Sequence, residues 1–190
     1  FRCRILSSGA TDRAVFELAF SGDGRLWADK LSLVPAENAG GWRAEVLKAV
    51  REMRTPLIRW GGSVVDPGGY RWKDGIGPQH KRGTYPEPMW DDQDTNNLGT
   101  DEFIALCRRV KAEPVIAVNV GRSDGQASRE QYLKEACDWV EYCNGPADSA
   151  WGKVRAANGH PEPYGVRYWE VDNEPWPMGS TNYGECVKQF

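Results

Sequence analysis

An asparagine and a glutamate stand side by side where a strand-forming run breaks off, in Tyr168-Trp169-Glu170-Val171-Asp172-Asn173-Glu174-Pro175-Trp176. Tyr168, Trp169 and Val171 favour a pleated, buried backbone, and Pro175 cannot continue a ladder, so Asn173 and Glu174 should face a mouth at the strand's C-terminal end. Two further apolar runs end in polar groups: Pro56-Leu57-Ile58-Arg59-Trp60 delivers Arg59, and the run from Val115 to Val120 contains Asn119. If the three strands are parallel neighbours, an arginine, two amides and a carboxylic acid converge on one rim. Tryptophans at strand ends or in loops, Trp60, Trp72, Trp90 and Trp176, would wall it and offer broad apolar faces to a sugar ring. Cleavage of a glycosidic bond needs one protonated carboxyl group to donate to the leaving oxygen and one ionised group to attack or activate water. Glu174 suits the donor if burial against Trp169 or Trp176, or a nearby second carboxylate, keeps it partly protonated near neutral pH.

Plainer readings stand beside this one. An Asn-Glu pair is most often a surface feature, and Arg59 could serve a structural ion pair with Asp66 or Asp172. Gly61-Gly62 could be a simple turn. His80 and His160 lie in separate loops without metal-ligand spacing, which leaves both as surface residues and gives no metal site. Trp42 and Trp139 are placed in helix packing.

The elements that must position these groups follow from periodicity. Residues 1–35 alternate short strand-like runs (Phe1 to Leu6, Ala14 to Phe20, Leu26 to Val34) with a turn at Ser21-Gly22-Asp23-Gly24, the pattern of the end of a β-sandwich. From Gly41 the period lengthens, and Trp42, Val46, Ala49, Val50 and Met53 share a helical face. A helix from a Thr100 cap carries Phe103, Ile104, Cys107 and Val110. A third opens on a Ser128/Gln131 capping box, with Tyr132, Leu133, Ala136, Cys137 and Val140 on one face. A polar loop rich in glycine and proline follows Asn144-Gly145-Pro146, and another helical pattern starts at Ser180-Thr181. Strands separated by helices form parallel βα units, in a doubly wound sheet or a (β/α)8 barrel. Gly-x-Gly-x-x-Gly follows none of the strands, which leaves a dinucleotide site little support. About forty residues separate the Arg59 strand from the Thr100 helix, against roughly 2 to 6 in an ordinary βα loop, and a connection of that length is expected to be functional.

Composition narrows the function classes. The 190 residues carry a net charge of −3 from interspersed acids and bases, with no basic block for nucleic acid. The longest basic cluster, His80-Lys81-Arg82, reads as a solvated face. No stretch reaches the roughly 20 apolar residues that span a bilayer. Five cysteines without Cys-x-x-Cys spacing read as thiols, with Cys107 and Cys137 on apolar helix faces. The N-terminal Phe1-Arg2-Cys3-Arg4 resembles neither a signal peptide nor a natural start, so a longer parent chain is expected.

Residues 29 to 176 resemble the α-L-arabinofuranosidases of glycoside hydrolase family 51, a retaining (β/α)8-barrel group. The resemblance runs in order through Asp29 to Pro35, Ile58-Arg59-Trp60-Gly61-Gly62, Tyr70-Arg71-Trp72-Lys73-Asp74-Gly75-Ile76-Gly77-Pro78 and Glu113 to Gly121. It continues through Glu141 to Pro146 and Trp151 to Pro163, and closes at Asn173-Glu174. It implies that Glu174 ends the fourth barrel strand as general acid/base, that Asn173 binds substrate beside it, and that Arg59 is the strand-two arginine of the sugar pocket. Residues 1–35 would close a sandwich module inserted after the first strand, and 36–190 would hold strands two to four. The family often has proline before its paired glycines and asparagine after them, whereas this chain reads Trp60-Gly61-Gly62-Ser63, so Ser63 could offer only a shorter contact to the sugar. The family's nucleophile, a glutamate on strand seven, would lie beyond Phe190.

The resemblance implies arabinose-containing polysaccharides or oligosaccharides as substrate and no cofactor, while charge and hydropathy give no support to a nucleic-acid or membrane partner. It leaves a homo-oligomeric full-length enzyme open. A related retaining glycosidase of other sugar specificity, or a non-catalytic glycan-binding barrel, is the alternative.

Overall fold

The computed structural model describes residues 4–6, 9, 13–29, 31–62, 70–87, 91–121 and 128–190. The chain divides into two compact units, Phe1–Val46 and Leu47–Phe190.

In the first unit the runs expected as strands, Ala14 to Phe20 and Leu26 to Val34, form none among the described residues. Val15, Trp27 and Leu33 stand exposed. A strand persists only where a neighbour takes up its backbone N–H and C=O groups. The one isolated pairing among the described residues joins Ala39 and Trp42, whose N–H groups donate to each other's carbonyls at 2.8 and 3.4 Å. Phe1 to Cys3 of the first expected run lie outside the described residues.

The elements that follow are α1 (Ala44–Met53), β1 (Leu57–Trp60), 3-10 turns at Trp72–Gly75 and Gln79–Lys81, β2 (Tyr85–Glu87) and β3 (Asp92–Asp94). Next come α2 (Thr100–Val110), β4 (Glu113–Val118), α3 (Arg129–Asn144), α4 (Ala150–Ala157), β5 (Tyr168–Val171), a 3-10 turn at Trp176–Met178 and α5 (Ser180–Val187). β1, β4 and β5 form one parallel sheet in the order β1-β4-β5, as strands separated by helices require. β2 and β3 pair antiparallel inside the long connection, whose sequence gives no strand signal.

Register sorts the side chains. Trp60, Ile116 and Trp169 align across the three strands, and so do Arg59, Val115 and Tyr168 one step away on the opposite face. The first row enters a core with Phe103, Ile104 and Cys107 of α2 and Ala136, Trp139, Tyr142 and Cys143 of α3. Trp139 is its centre: it stacks on Trp72 at 5.7 Å, meets Trp60 and Trp169 edge-on at 5.7 and 6.2 Å, and donates its indole N–H to Thr100 Oγ1 at 2.9 Å. Buried in this core, the Cys107 thiol is pushed up to about 11 and packs as a small hydrophobe.

Three helical expectations shift. On α1 the inward residue is Leu47, while Val46 and Met53 are exposed. On α3 the buried stripe is Tyr132, Ala136, Trp139, Tyr142 and Cys143, because the indole and phenol dominate the buried area and turn Cys137 and Val140 outward. Thr100 is the first helical residue of α2 rather than its cap; Gly99 precedes it, with its N–H held by Glu102 at 2.9 Å. The Ser128/Gln131 capping box forms as expected.

Charged side chains pin the described part of the long connection. Arg82, read from sequence as solvated, is buried: its guanidinium donates to both Glu102 oxygens at 2.9 Å and to the carbonyls of Gly77 and Asn96. A planar fork with five donors can close several loop carbonyls at once, which offsets its burial. Lys73 anchors the same connection to α3 through Glu135 at 2.8 Å and Asp138 at 2.7 Å, and Lys134 joins Asp138 at 2.8 Å. Burial alone would raise the Asp138 carboxyl, but hydrogen bonds from Lys134 and Lys73 outweigh it and hold the group below its ordinary 3.8. A carboxylate with a depressed folded value stabilises the fold above its unfolded value and ceases to do so as pH falls through the folded one. Asp138→Asn is therefore expected to lower Tm at pH 7, and its gap to the native protein should close as melts are run below pH 3.8. A gap unchanged down to about pH 2 would show that Asp138's charge plays no part.

Candidate active site at the carboxyl end of the sheet

β1 and β5 flank β4, and their polar side chains meet across it. Arg59 forms an ion pair with Glu170 through its Nε, and its Nη2 donates to Asn173 Oδ1 at 2.7 Å. Arg59 and Glu170 are half-exposed, whereas Asp172 and Asn173 are buried. Among the described residues the ion-pair partner of Arg59 is Glu170 rather than Asp172, one of the two alternatives the sequence offers, and Asp66, the other, lies outside them. Glycine at position 61 makes room for the arginine: a Cβ there would stand 2.8 Å from the guanidinium carbon and 3.0 Å from Ala117 Cβ.

Beyond β5 the backbone continues the sheet by one bond, Asp172 N–H to Val118 O at 2.8 Å, and then turns sharply. Asp172 and Glu174 take φ values of 68° and 50°, in the left-handed region that side chains with a Cβ seldom adopt. Such strain persists only where surrounding contacts over-determine it, and it concentrates at functional sites. The restraints are visible: Asp172 Oδ1 accepts the Asn173 N–H at 2.5 Å, and Tyr183 of α5 donates its hydroxyl to Val171 O at 2.7 Å. Burial, with the charges of Asp172 and Glu170 behind it, pushes the Tyr183 hydroxyl up, so it stays a donor across the neutral range. The turn brings Glu174 into the open, next to the buried Asn173. Burial of Glu174 against Trp169 or Trp176, expected from sequence, is not found, because Trp169 faces the helices and Trp176 is 70% exposed.

The structure therefore joins Arg59 to Asn173, with Glu174 following in the chain. Trp176 remains an exposed aromatic face two residues beyond. Trp60 and Trp72, expected as sugar walls, are 8% and 3% exposed and belong to the aromatic core, so neither has a face for a sugar. Asn119 accepts the Gly121 N–H at 2.6 Å and lines a small cavity with Tyr70, Trp72, Tyr132 and Trp139 on the helix side. Ser63 and Trp90 lie outside the described residues. Glu170 is the residue that sequence reasoning missed; the alternation along β5 assigns it to the face of Arg59, but its apolar neighbours hid it. Among the described residues, no group of three His, Cys, Asp or Glu side chains is placed to hold a metal ion. Nor is any helix among them long and apolar enough to cross a membrane.

Fold and site together define an α/β protein whose parallel strands carry an arginine and an Asn-Glu pair at their carboxyl ends. A family model, the α-L-arabinofuranosidase 1 domain, matches residues 49–190, and the chain belongs to that family, the α-L-arabinofuranosidases of glycoside hydrolase family 51. It is 39% identical over 143 residues to α-L-arabinofuranosidase C of Emericella nidulans, covering 75% of this chain and 26% of that protein. It is 35% identical over 162 residues to the intracellular exo-α-(1→5)-L-arabinofuranosidase 1 of Bacillus subtilis, covering 82% and 30%. Among solved structures it resembles the Thermotoga maritima α-L-arabinofuranosidase in its arabinose complex, at TM-score 0.66 and 40% identity over 75% of this chain and 28% of that one. The family 51 enzyme of Bifidobacterium longum gives TM-score 0.71 and 33% identity over 82% and 30%. The chain spans about a quarter of the length of the curated relatives it matches.

Proposed function

We propose that this chain carries the acid/base half of a retaining α-L-arabinofuranosidase acting on arabinose-containing polysaccharides or oligosaccharides. The observation that supports this best is the bond from Arg59 to Asn173 at 2.7 Å, which ties β1 to the Asn173-Glu174 turn beyond β5 in a chain of this family. β1, β4 and β5 would be strands two to four of a (β/α)8 barrel, and residues 1–35 part of a β-sandwich module. In the first step a glutamate from another part of the protein attacks the anomeric carbon, while Glu174 gives its proton to the departing glycosidic oxygen. In the second, Glu174 takes a proton from water, whose oxygen displaces that glutamate and releases arabinose. Asn173 would hold a sugar hydroxyl, Trp176 would offer an apolar face, and Ser63 would make a short polar contact. The reading requires no metal or organic cofactor.

A panel of aryl glycosides offered to the full-length protein tests this. Preferential cleavage of the α-L-arabinofuranoside is expected; preference for a xyloside or glucoside would give the site another sugar, and no turnover would favour a glycan-binding protein.

A further inference from the structure

We propose that Glu170 is a positioning residue of the sugar site, acting through Arg59 on the Asn173 carboxamide; this rests on the function proposed above. Glutamate is a poor strand former, yet Glu170 stands inside β5 between Trp169 and Val171. A residue that breaks the local rule at a strand carrying a candidate site calls for a compensating contact. That contact is Arg59, two strands away: β4 lies between them, and the side chains that β4 presents to this face there are Val115 and the small Ala117, so the ion pair can form across it.

The guanidinium carries the orientation onward. It is a rigid planar fork with donors only, so once Glu170 holds Nε the direction of Nη2 is fixed within the plane. Nη2 meets Asn173 at 2.7 Å, and a donor requires an acceptor there. The carboxamide must turn its oxygen to Arg59 and its NH2 to the opposite side. A buried amide that faces one way only reads a sugar hydroxyl as an acceptor in one geometry, and proximity effects in catalysis are sensitive to such orientation. The missing Cβ at Gly61 and the Ala117 methyl shape the slot in which the guanidinium lies. Without Glu170 the arginine is a long, half-exposed side chain with nothing among the described residues holding its Nε.

The test uses the full-length protein and four variants: Glu170→Ala, Glu170→Gln, Asn173→Ala, and Glu170→Ala with Asn173→Ala. Glu170→Ala should lower kcat/KM for the arabinofuranoside by about ten- to a hundredfold, and Glu170→Gln, which keeps an acceptor for Nε, should recover to within about threefold of wild type. The double variant should be no worse than Asn173→Ala alone, because both changes break one chain of contacts. Losses that multiply in the double variant, or a glutamine as damaging as alanine, overturn the inference. Crystal structures of wild type and Glu170→Ala add a readout independent of turnover: the Arg59 contact to Asn173 should be lost in the variant, and its persistence also overturns the inference. A wild-type protein with no arabinofuranosidase activity would sink the functional reading instead, while the crystals still decide the role of Glu170.

Discussion

Replacing Glu174 by alanine in the full-length protein is expected to slow hydrolysis of natural arabinofuranosyl linkages by about a hundred- to ten-thousandfold, the range removed with a positioned general acid. The loss should be far smaller for activated aryl arabinofuranosides, whose leaving groups depart with little help from a proton. The asymmetry follows from the proposed role: the turn after β5 exposes Glu174 at the carboxyl end of the sheet, with Asn173 buried behind it. Glu174→Gln keeps the shape and removes only the transferable proton, so it should show the same leaving-group dependence. Steady-state kinetics on a series of aryl leaving groups measures it. Equal losses on good and poor leaving groups would remove Glu174 from the acid role.

Trp139→Ala should cost roughly 3–5 kcal/mol of unfolding free energy, the upper range for deletion of a buried aromatic. The indole is 4% exposed and touches Trp60, Tyr70, Trp72 and Trp169, so its removal takes the shared neighbour from β1, the long connection and β5 together. It also takes the donor from the fully buried Thr100 hydroxyl. Chemical denaturation of the full-length protein reports the change. A cost under about 1 kcal/mol would mean that the cavity collapses and Trp139 is not the centre of the core.

The positions of β1, β4 and β5 and their parallel sense are legible in the sequence, because these apolar runs alternate with helical periods and each ends at glycine, proline or a polar group. The face on which each residue falls was less so. Trp60 and Arg59 are adjacent, and a period of two sends neighbours to opposite faces, so one strand could not aim both at the same ligand. Helix α4 is hidden in the sequence because Gly152 lowers helical propensity in its first turn. Packing requires the glycine, since a Cβ there would lie 1.8 Å from Pro146 O. The strands expected before Pro35 carried the right alternation, but alternation does not supply a partner. Of the candidate site, the placement of Arg59, Asn173 and Glu174 at strand ends follows from residue type and the breaks in apolar runs, whereas the contact of Glu170 with Arg59 depends on which strands flank β4.

A crystal structure of the full-length Glu174→Gln protein with an uncleaved arabinofuranosyl oligosaccharide tests the placement of the acid most directly. The carboxamide introduced at position 174 should lie about 2.6–3.2 Å from the glycosidic oxygen, with Asn173 on a hydroxyl of the same sugar. A sugar bound elsewhere, or a position 174 side chain beyond reach of that oxygen even through one water, would contradict it.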